Sequence, residues 1–309
     1  MGPGKTDLLT LPCGKCLGCK YDHARDWETR IINEASLYLC NSFVTLTYDN
    51  DHLPIGQTLI PEHVTLFLKK LRKKTRDPIR YYYSGEYGDQ LDRPHYHLIL
   101  FNYWPKDATF LKKTKLGDKL FSSESLEKTW GKGFAPIGTV TAQSAGYVAR
   151  YVMKKIKGKD AHEKYWKFDP RTGLDHELHP EFARMSRGAR CEDHKELPQR
   201  PLDCFRCTGG IGYGYMQRYH RDIYGPHQSR EITDEVVVNE KPRKPPRAYD
   251  KFILERRGEQ FLERLKHQRY TSSLEHWDEQ QPARLLVKEK VREGRLKSLR
   301  RDYESGLSE

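Results

Sequence analysis

The antiparallel hairpin that organises the predicted fold is formed by residues 79–101. They read Ile79-Arg-Tyr-Tyr-Tyr-Ser-Gly-Glu-Tyr-Gly-Asp-Gln-Leu-Asp-Arg-Pro-His-Tyr-His-Leu-Ile-Leu-Phe101. Two runs rich in aromatic and branched side chains flank a polar connector with Gly and Pro, which is typical of two strands joined by a turn. His95 and His97 are two positions apart, so both imidazoles leave the same face of a strand. With the turn centred near residues 90–91, Glu86 lies opposite His95.

One carboxylate and two imidazoles on one face of a sheet suit a divalent metal ion. They leave coordination positions open, and a mixed nitrogen and oxygen set favours Mn²⁺ or Mg²⁺ that also holds a phosphate oxygen. The alternative is a strand whose imidazoles only cap the edge of the sheet. A His-x-His pair by itself does not decide between these two interpretations.

A second stretch, residues 144–158, reads Ser144-Ala-Gly-Tyr-Val-Ala-Arg-Tyr-Val-Met-Lys-Lys-Ile-Lys-Gly158. We expect a helix here, with Ser144 as its N-cap and Gly158 as its stop. Tyr147 and Tyr151 are one turn apart and share a face. A tyrosine stripe is usually core packing, but lysines continue this one, which a buried face would not tolerate. Two phenols followed by cations favour a covalent phosphodiester reaction, since positive charge helps a phenol to ionise.

The cations of this helix are expected to contact phosphate groups and to take no part in catalysis. They are Arg150, Lys154 and Lys155. The alternative is an ordinary solvated helix face. Phosphate contacts predict binding that weakens strongly as salt rises.

Three motifs in this order resemble those of the rolling-circle replication initiators known as HUH endonucleases. They are Phe43-Val-Thr-Leu-Thr-Tyr48, Arg93-Pro-His-Tyr-His-Leu-Ile-Leu-Phe101 and Tyr147-Val-Ala-Arg-Tyr151-Val-Met-Lys-Lys155. The paired tyrosines followed by Lys-Lys are similar to the initiators of small single-stranded DNA phages. Leu11-Pro-Cys-Gly-Lys-Cys-Leu-Gly-Cys19 and Gly210-Ile-Gly-Tyr-Gly-Tyr215 resemble the gokushovirus branch of the microviruses.

This resemblance implies a site-specific single-strand DNA endonuclease and strand-transferase that initiates and terminates rolling-circle replication. In the family, His-hydrophobic-His binds the metal, which assigns His95 and His97; Glu86 matches the carboxylate of the neighbouring strand, a position that varies. Tyr147 and Tyr151 take the place of the nucleophiles that form a 5′-phosphotyrosine link. The implied partners are single-stranded DNA at the origin and a host helicase and polymerase, since the chain has no helicase motif.

The composition agrees with a polyanionic partner. The 309 residues carry a formal net charge of +12 and a pI of about 9.2, with only 36% hydrophobic residues. Basic surfaces attract nucleic acids, and the many tyrosines and tryptophans offer faces for unpaired bases, although basic proteins without such partners also exist. No stretch approaches 18 consecutive apolar residues, and the first residues lack the apolar run of a signal peptide. We therefore expect no membrane association and a location in the cytoplasm of a bacterial host.

Five of the seven cysteines have the spacing of metal ligands. They are Cys13, Cys16, Cys19, Cys204 and Cys207. Four of them would make a tetrahedral structural zinc site that ties the N-terminal arm to the C-terminal region. Free thiols and an iron-sulfur cluster are the alternatives, the cluster being disfavoured because the fourth cysteine of a ferredoxin run and its proline are missing. Cys40 and Cys191 are interpreted as ordinary small residues.

The order strand, helix, hairpin, helix, strand, helix predicts an α+β fold. We expect an antiparallel sheet with helices packed on one face and the other face open for DNA, the HUH nuclease form of a ferredoxin/RRM-like core. Thr45 and Thr47 are expected to support the sheet. The predicted regions are a Cys-rich arm and helix (1–36), the nuclease core (37–158), an irregular Cys- and Gly-containing region (159–240), and a basic linker with a charged helical tail (241–309).

Two other functions are compatible with parts of this pattern. In the first, the protein is a zinc-stapled binding module for single-stranded nucleic acid, with a structural His pair and no bond broken. In the second, it is a single-tyrosine transposase or relaxase of the same superfamily, which the paired tyrosines disfavour. The binding module predicts zinc, no manganese dependence and no covalent DNA.

Overall fold

The computed structural model describes residues 13–75, 78–88, 91–114, 117–154, 163–188, 209–226 and 232–298. The helices in these ranges are α1 (Leu17–Ala35), α2 (Pro61–Lys74), α3 (Glu124–Trp130), α4 (Ala142–Lys154), α5 (Tyr213–Tyr224), α6 (Ala248–Arg257), α7 (Glu259–Glu275) and α8 (Pro282–Ser298). The strands are β1 (Asn41–Thr47), β2 (Arg80–Tyr87), β3 (Pro94–Phe101), β4 (Thr109–Lys113), β5 (Lys119–Ser122), β6 (Ile137–Thr139), β7 (Trp166–Asp169), β8 (Leu174–Glu177), β9 (Phe182–Met185), β10 (Val236–Val238) and β11 (Lys241–Arg243).

Seven strands form one antiparallel sheet in the order β4-β5-β6-β1-β3-β2-β9. The hairpin of β2 and β3 has the predicted register, in which Glu86 is the partner of His95. On its other side β3 pairs with β1, which sets Thr45 opposite His97. Because all eight residues of β3 are buried, its backbone and side chains have a fixed environment on every side.

Helices cover both faces of this sheet. On the face of Tyr96, Leu98 and Leu100, the helices α2 and α3 pack in one apolar cluster. On the face of Ile99 and Phe101, the helices α1 and α4 pack in a second cluster. The predicted α+β class with an antiparallel sheet is confirmed, but the helices are not confined to one face. The physical reason is that β3 is apolar on both sides, so each side needs a covering layer.

The region after α4 contains more regular structure than its sequence predicts. The region 159–240 was expected to be irregular, yet its described part contains the β7–β8 hairpin and β9, which extends the sheet beside β2. These strands are four residues long and rich in charge, so they lack the periodicity that identifies a strand in a sequence.

The C-terminal part of the chain forms a small core of its own. The helices α5, α6 and α7 pack around a cluster that includes Met216, Phe252, Ile253, Phe261 and Leu265. In the described part of the predicted tail, residues 248–298 are mostly helical, and the segment expected to be a linker begins with β11, paired with β10. Among the described residues, no helix is both long and apolar enough to span a membrane.

The glycine-rich segment before α5 is held against α1. The Gly212 N–H donates to Glu34 Oε2 at 2.7 Å, and the Ile211 carbonyl accepts from Arg30 Nε at 2.9 Å. Glu34 is buried and also pairs with Arg80 of β2 at 2.8 Å. These contacts connect α1, the sheet and the C-terminal core.

Candidate active site

Glu86, His95 and His97 form a buried cluster at one end of the β2–β3 hairpin. The Glu86 Oε1 atom lies 2.7 Å from His97 Nε2 and 3.2 Å from His95 Nε2. The period of two along β3 and the register with β2 bring these three atoms together, as the sequence predicts. The cluster therefore presents two nitrogens and one oxygen around a common point.

The other ring nitrogen of each histidine is held by a neighbour. His95 Nδ1 lies 3.0 Å from the Arg93 carbonyl, and His97 Nδ1 lies 3.0 Å from Thr45 Oγ1. A carbonyl can only accept, so His95 carries its proton on Nδ1 and, when neutral, turns the lone pair of Nε2 toward Glu86. Outer partners of this kind orient histidines that bind metals.

The electrostatics of Glu86 also favour a bound cation. Burial by itself would raise the pKa of Glu86, but the adjacent His97 and His95 lower it to about 2. Glu86 is therefore a carboxylate, and its nearest charged neighbours are the two imidazoles. A divalent ion accepts electron pairs from both groups, so the donor set fits Mn²⁺ or Mg²⁺.

Tyr147 reaches the same cluster from α4. Its hydroxyl oxygen lies 3.4 Å from His97 Nε2, although the two residues are 50 positions apart in the chain. The phenol is buried, and its ring meets His97 edge-on with the ring centres 5.0 Å apart. Phe43 stacks on His97 from β1 at 5.5 Å. The fold thus brings the Tyr147 phenol to the candidate metal ligands.

A reciprocal cap fixes the start of α4. The Thr141 N–H donates to Ser144 Oγ at 2.8 Å, and the Ser144 N–H donates to Thr141 Oγ1 at 3.1 Å. This is the arrangement of a capping box, with Ser144 inside the helix. The predicted N-cap at Ser144 is therefore wrong by three residues, because the preceding threonine caps the helix.

Helix α4 approaches α1 closely at Gly146. A Cβ at this glycine would lie 3.0 Å from both Arg150 Nη1 and Glu28 Oε2, so the absent side chain allows the two helices to meet. Arg150 is half-buried, and its guanidinium lies in the neighbourhood of the Glu28 carboxylate. The predicted contact of Arg150 with phosphate remains a prediction.

The structure describes some of the predicted site residues only in part and others not at all. Tyr151 and Lys154 belong to α4, but only their backbone is described. Three others, Lys155, Cys204 and Cys207, lie outside the described residues.

The remaining cysteines of the predicted zinc site lie together at the start of α1. The sulfurs of Cys13, Cys16 and Cys19 are all within 4.8 Å of one another. Backbone N–H groups of Cys16 and Lys15 lower the pKa of Cys13 to about 7. The Cys19 N–H also lowers the pKa of Cys16. Hydrogen bonds with the thiols of Cys13 and Cys19 outweigh this effect, so the pKa of Cys16 is raised.

Thr45 and Phe43 contact His97 directly, a role that the sequence does not identify. Thr45 was expected only to support the sheet, and Phe43 had no assigned role. Alternation along β1 places both on one face, but their relation to His97 depends on the pairing of β1 with β3. That pairing joins strands separated by a helix and is not visible in the sequence.

Comparison with known proteins finds similarity that is concentrated in the central part of the chain. The family model described as replication-associated protein ORF2/G2P matches residues 41–156. Replication-associated protein VP4 of Bdellovibrio phage phiMH2K is 37% identical over 181 residues, which cover 56% of this chain and 53% of VP4. Replication-associated protein ORF2 of Spiroplasma virus 4 is 36% identical over 200 residues, which cover 62% of this chain and 59% of ORF2.

A third relative, replication-associated protein ORF4 of Chlamydia phage 1, is 35% identical over 155 residues, covering 47% of this chain and 38% of ORF4. The chain thus spans little more than half the length of the first two relatives. No solved structure matches it.

Proposed function

We propose, because the family model of replication-associated protein ORF2/G2P matches residues 41–156, that this chain is a replication initiator of the microvirus type that acts as a DNA nickase and ligase. The family and the relatives support a role in rolling-circle replication. One observation carries the chemical part of the proposal: the Tyr147 hydroxyl lies 3.4 Å from His97 Nε2, beside Glu86 and His95. A nucleophile next to a metal-ligand set is the arrangement that metal-assisted phosphodiester cleavage requires.

Each residue of the cluster has a distinct part in the proposed reaction. His95, His97 and Glu86 hold Mn²⁺ or Mg²⁺, which polarises the scissile phosphate when bound. The Tyr147 oxygen attacks phosphorus, and the bond from phosphorus to the 3′ oxygen breaks. The phenol loses its proton and the departing 3′ oxygen gains one, so a 5′-phosphotyrosine and a free 3′-hydroxyl result.

A second tyrosine allows the reaction to end as well as begin. The free 3′-hydroxyl primes a host polymerase, and a host helicase opens the duplex ahead of it. Tyr151, one helical turn after Tyr147 on α4, cleaves the regenerated origin. The newly freed 3′-hydroxyl then attacks the first phosphotyrosine, which closes a circle and restores the phenol.

The substrate of this reaction is single-stranded DNA at the replication origin, in the cytoplasm of a bacterial host. Arg150, Lys154 and Lys155 follow Tyr147 on or directly after α4 and contact the DNA phosphates. Stacking of unpaired bases on aromatic side chains adds affinity.

A covalent-adduct assay tests the proposal. The purified protein is incubated with Mn²⁺ and a labelled single-stranded origin library and then run on a denaturing gel. We expect label that stays with the protein and disappears with chelator or in the double variant Tyr147→Phe, Tyr151→Phe. As a matched control, Tyr270→Phe removes a hydroxyl from an exposed tyrosine of α7 and should leave the adduct unchanged.

Two results would overturn the assignment. The first is an adduct that persists in the double tyrosine variant, since another nucleophile would then be at work. The second is binding to a library shown to contain the origin, without any covalent species in Mn²⁺ or Mg²⁺. That outcome is the one expected of a non-catalytic nucleic-acid-binding module.

A further inference from the structure

Three thiols converge where the N-terminal arm enters α1, away from the Glu86 cluster. Cys13 Sγ lies 3.9 Å from Cys19 Sγ, and all three sulfurs, with that of Cys16, are within 4.8 Å of one another. Cys13 and Cys16 are exposed, and Cys19 is in the first turn of the helix. Thiols that served only to fill space would be buried among apolar side chains.

The backbone of this turn points its N–H groups at the sulfurs. Cys13 Sγ accepts from Lys15 N at 3.4 Å and from Cys16 N at 3.2 Å, and Cys16 Sγ accepts from Cys19 N at 3.4 Å. Gly14 has a φ of 70°, a conformation that residues with a side chain rarely adopt, so this position of the turn favours glycine. N–H donors stabilise the thiolate over the thiol, and the thiolate is the form that binds metals.

We propose that Cys13, Cys16 and Cys19 are three ligands of a zinc ion that fastens the N-terminal arm to the start of α1. Three thiolates this close repel one another unless a cation lies among them, and soft sulfur ligands select zinc over Mn²⁺ or Mg²⁺. Zinc is usually four-coordinate in structural sites, so a further ligand completes the set.

The surroundings suit the residual negative charge of such a site. Three thiolates and Zn²⁺ sum to one negative charge, and Arg292 of α8 lies close by. A Cβ at Gly18 would be 2.7 Å from Arg292 Nη1 and 3.8 Å from Cys16 Sγ, so guanidinium and sulfur both approach this glycine. Arg292 also pairs with Asp22 of α1 at 3.2 Å.

The position of the zinc site gives it a role in supporting α4, the helix that carries Tyr147. Cys16 is the N-cap residue of α1, and its sulfur accepts the Cys19 N–H. Further along, α1 packs on α4 where Glu28 meets Gly146, next to Tyr147. Zinc therefore stabilises the first turn of the helix on which α4 rests, whether or not Tyr147 acts as a nucleophile.

Metal analysis of the full-length protein tests this inference. The reduced chain is purified without a metal-affinity tag, its zinc content is measured, and the zinc is then exchanged for Co²⁺. We expect one zinc per chain and the intense near-ultraviolet thiolate-to-cobalt charge-transfer absorption. Cys13→Ser, Cys16→Ser and Cys19→Ser should each lose the zinc or weaken its binding by a factor of ten or more, as judged by competition with a chelating dye. Cys40→Ser, which removes an exposed thiol outside the cluster, should keep both signals.

Wild-type protein without zinc and without a thiolate–cobalt band would overturn the proposal, as would full zinc binding by the Cys13→Ser chain. A disulfide between Cys13 and Cys19 in protein purified under reducing conditions would also contradict it. The variant His95→Ala, His97→Ala separates the two sites: it should abolish the DNA adduct and leave the thiolate–cobalt absorption intact. Because the zinc readout does not use DNA, it can fail or succeed independently of the nickase assay.

Discussion

The orientation of His97 is fixed on every side by named neighbours. Its Nδ1 atom meets Thr45 Oγ1 at 3.0 Å, its Nε2 atom meets Glu86 at 2.7 Å, and Phe43 stacks on the ring. These contacts restrain the ring from rotating and keep Nε2 pointed at Glu86, within the candidate metal site. The hydroxyl of Thr45 is thus one of the groups that orient His97.

Replacing Thr45 with valine tests this role. The change keeps the shape of the side chain and removes the partner of His97 Nδ1, so we expect Mn²⁺ affinity to fall roughly 10- to 100-fold while the protein stays folded. Calorimetric titration with Mn²⁺ measures the effect. Thr47→Val is the matched control, because the Thr47 hydroxyl contacts the Phe134 carbonyl at 3.5 Å and not a histidine. Equal affinities of the two variants would show that Thr45 does not orient the ring.

The sequence predicts the site only as far as local periodicity reaches. Glu86, His95 and His97 could be placed together because one hairpin contains all of them and its turn fixes the register. The contact between Tyr147 and His97 joins residues on different elements, so it follows from the packing of α4 on the sheet. From the sequence, only the resemblance to known motifs connects the hairpin of His97 with the helix of Tyr147; their spacing in the chain does not.

At the scale of single elements, α3 shows how a short helix is held in place by a residue from outside it. Ser123 is its N-cap, with Oγ accepting the Leu126 N–H. The Asp107 carboxylate accepts the Ser123 hydroxyl at 2.6 Å and the Ser125 N–H at 2.8 Å. An acidic group at a helix N-terminus also interacts favourably with the helix dipole. Since α3 contributes Trp130 to the core under β1, this cap supports the sheet that carries the site.

Removal of the Asp107 carboxylate gives a pH-dependent prediction. Hydrogen bonds from Ser123 and Ser125 lower the pKa of Asp107 from 3.8 to about 2. A lowered carboxyl pKa means that the contribution to stability is fully present above about pH 4 and is lost as the pH falls toward 2. Asp107→Ala should reduce the free energy of unfolding by about 1 kcal/mol at neutral pH, and the difference from wild type should shrink near pH 3.

Urea unfolding of both proteins at the two pH values measures this difference. Lys106→Ala, a change of the exposed neighbouring residue, serves as the control and should leave stability nearly unchanged. A deficit in Asp107→Ala that is the same at pH 7 and near pH 3 would show that the carboxylate charge is not involved.

For the whole molecule, the face of the sheet that each helix covers was harder to predict than the helices and strands themselves. Most helices and strands of the core follow from their periodicity, as for α2, which begins at Pro61 and ends in basic residues. The placement of α1 and α4 on the opposite face from α2 depends on contacts distant in sequence. The sequence does not predict the edge strand β9 either, because its four residues become a strand only by pairing with β2.

The division of the helices between two faces gives a test of where DNA binds. The helix α4, on the Tyr147 side of the sheet, carries Arg150, and Lys154 and Lys155 follow Arg150 in the sequence. On the other face, α2 and α3 carry exposed cations such as Lys73 and Lys128. Single-stranded DNA releases counterions when phosphates are neutralised, so the logarithm of affinity falls with the logarithm of salt in proportion to the number of contacts.

Two double variants of equal charge should therefore respond differently to salt. Lys154→Ala, Lys155→Ala removes two proposed phosphate contacts, so the salt slope for single-stranded DNA should become shallower by about 1 to 2. Lys73→Ala, Lys128→Ala removes the same charge from the far face and should shift affinity only slightly, with an unchanged slope. Fluorescence anisotropy with a labelled oligonucleotide over a series of salt concentrations gives both slopes. Identical slopes for the two variants would mean that binding depends on net charge alone, and the lysines after Tyr151 would then have no specific role in holding DNA at the site.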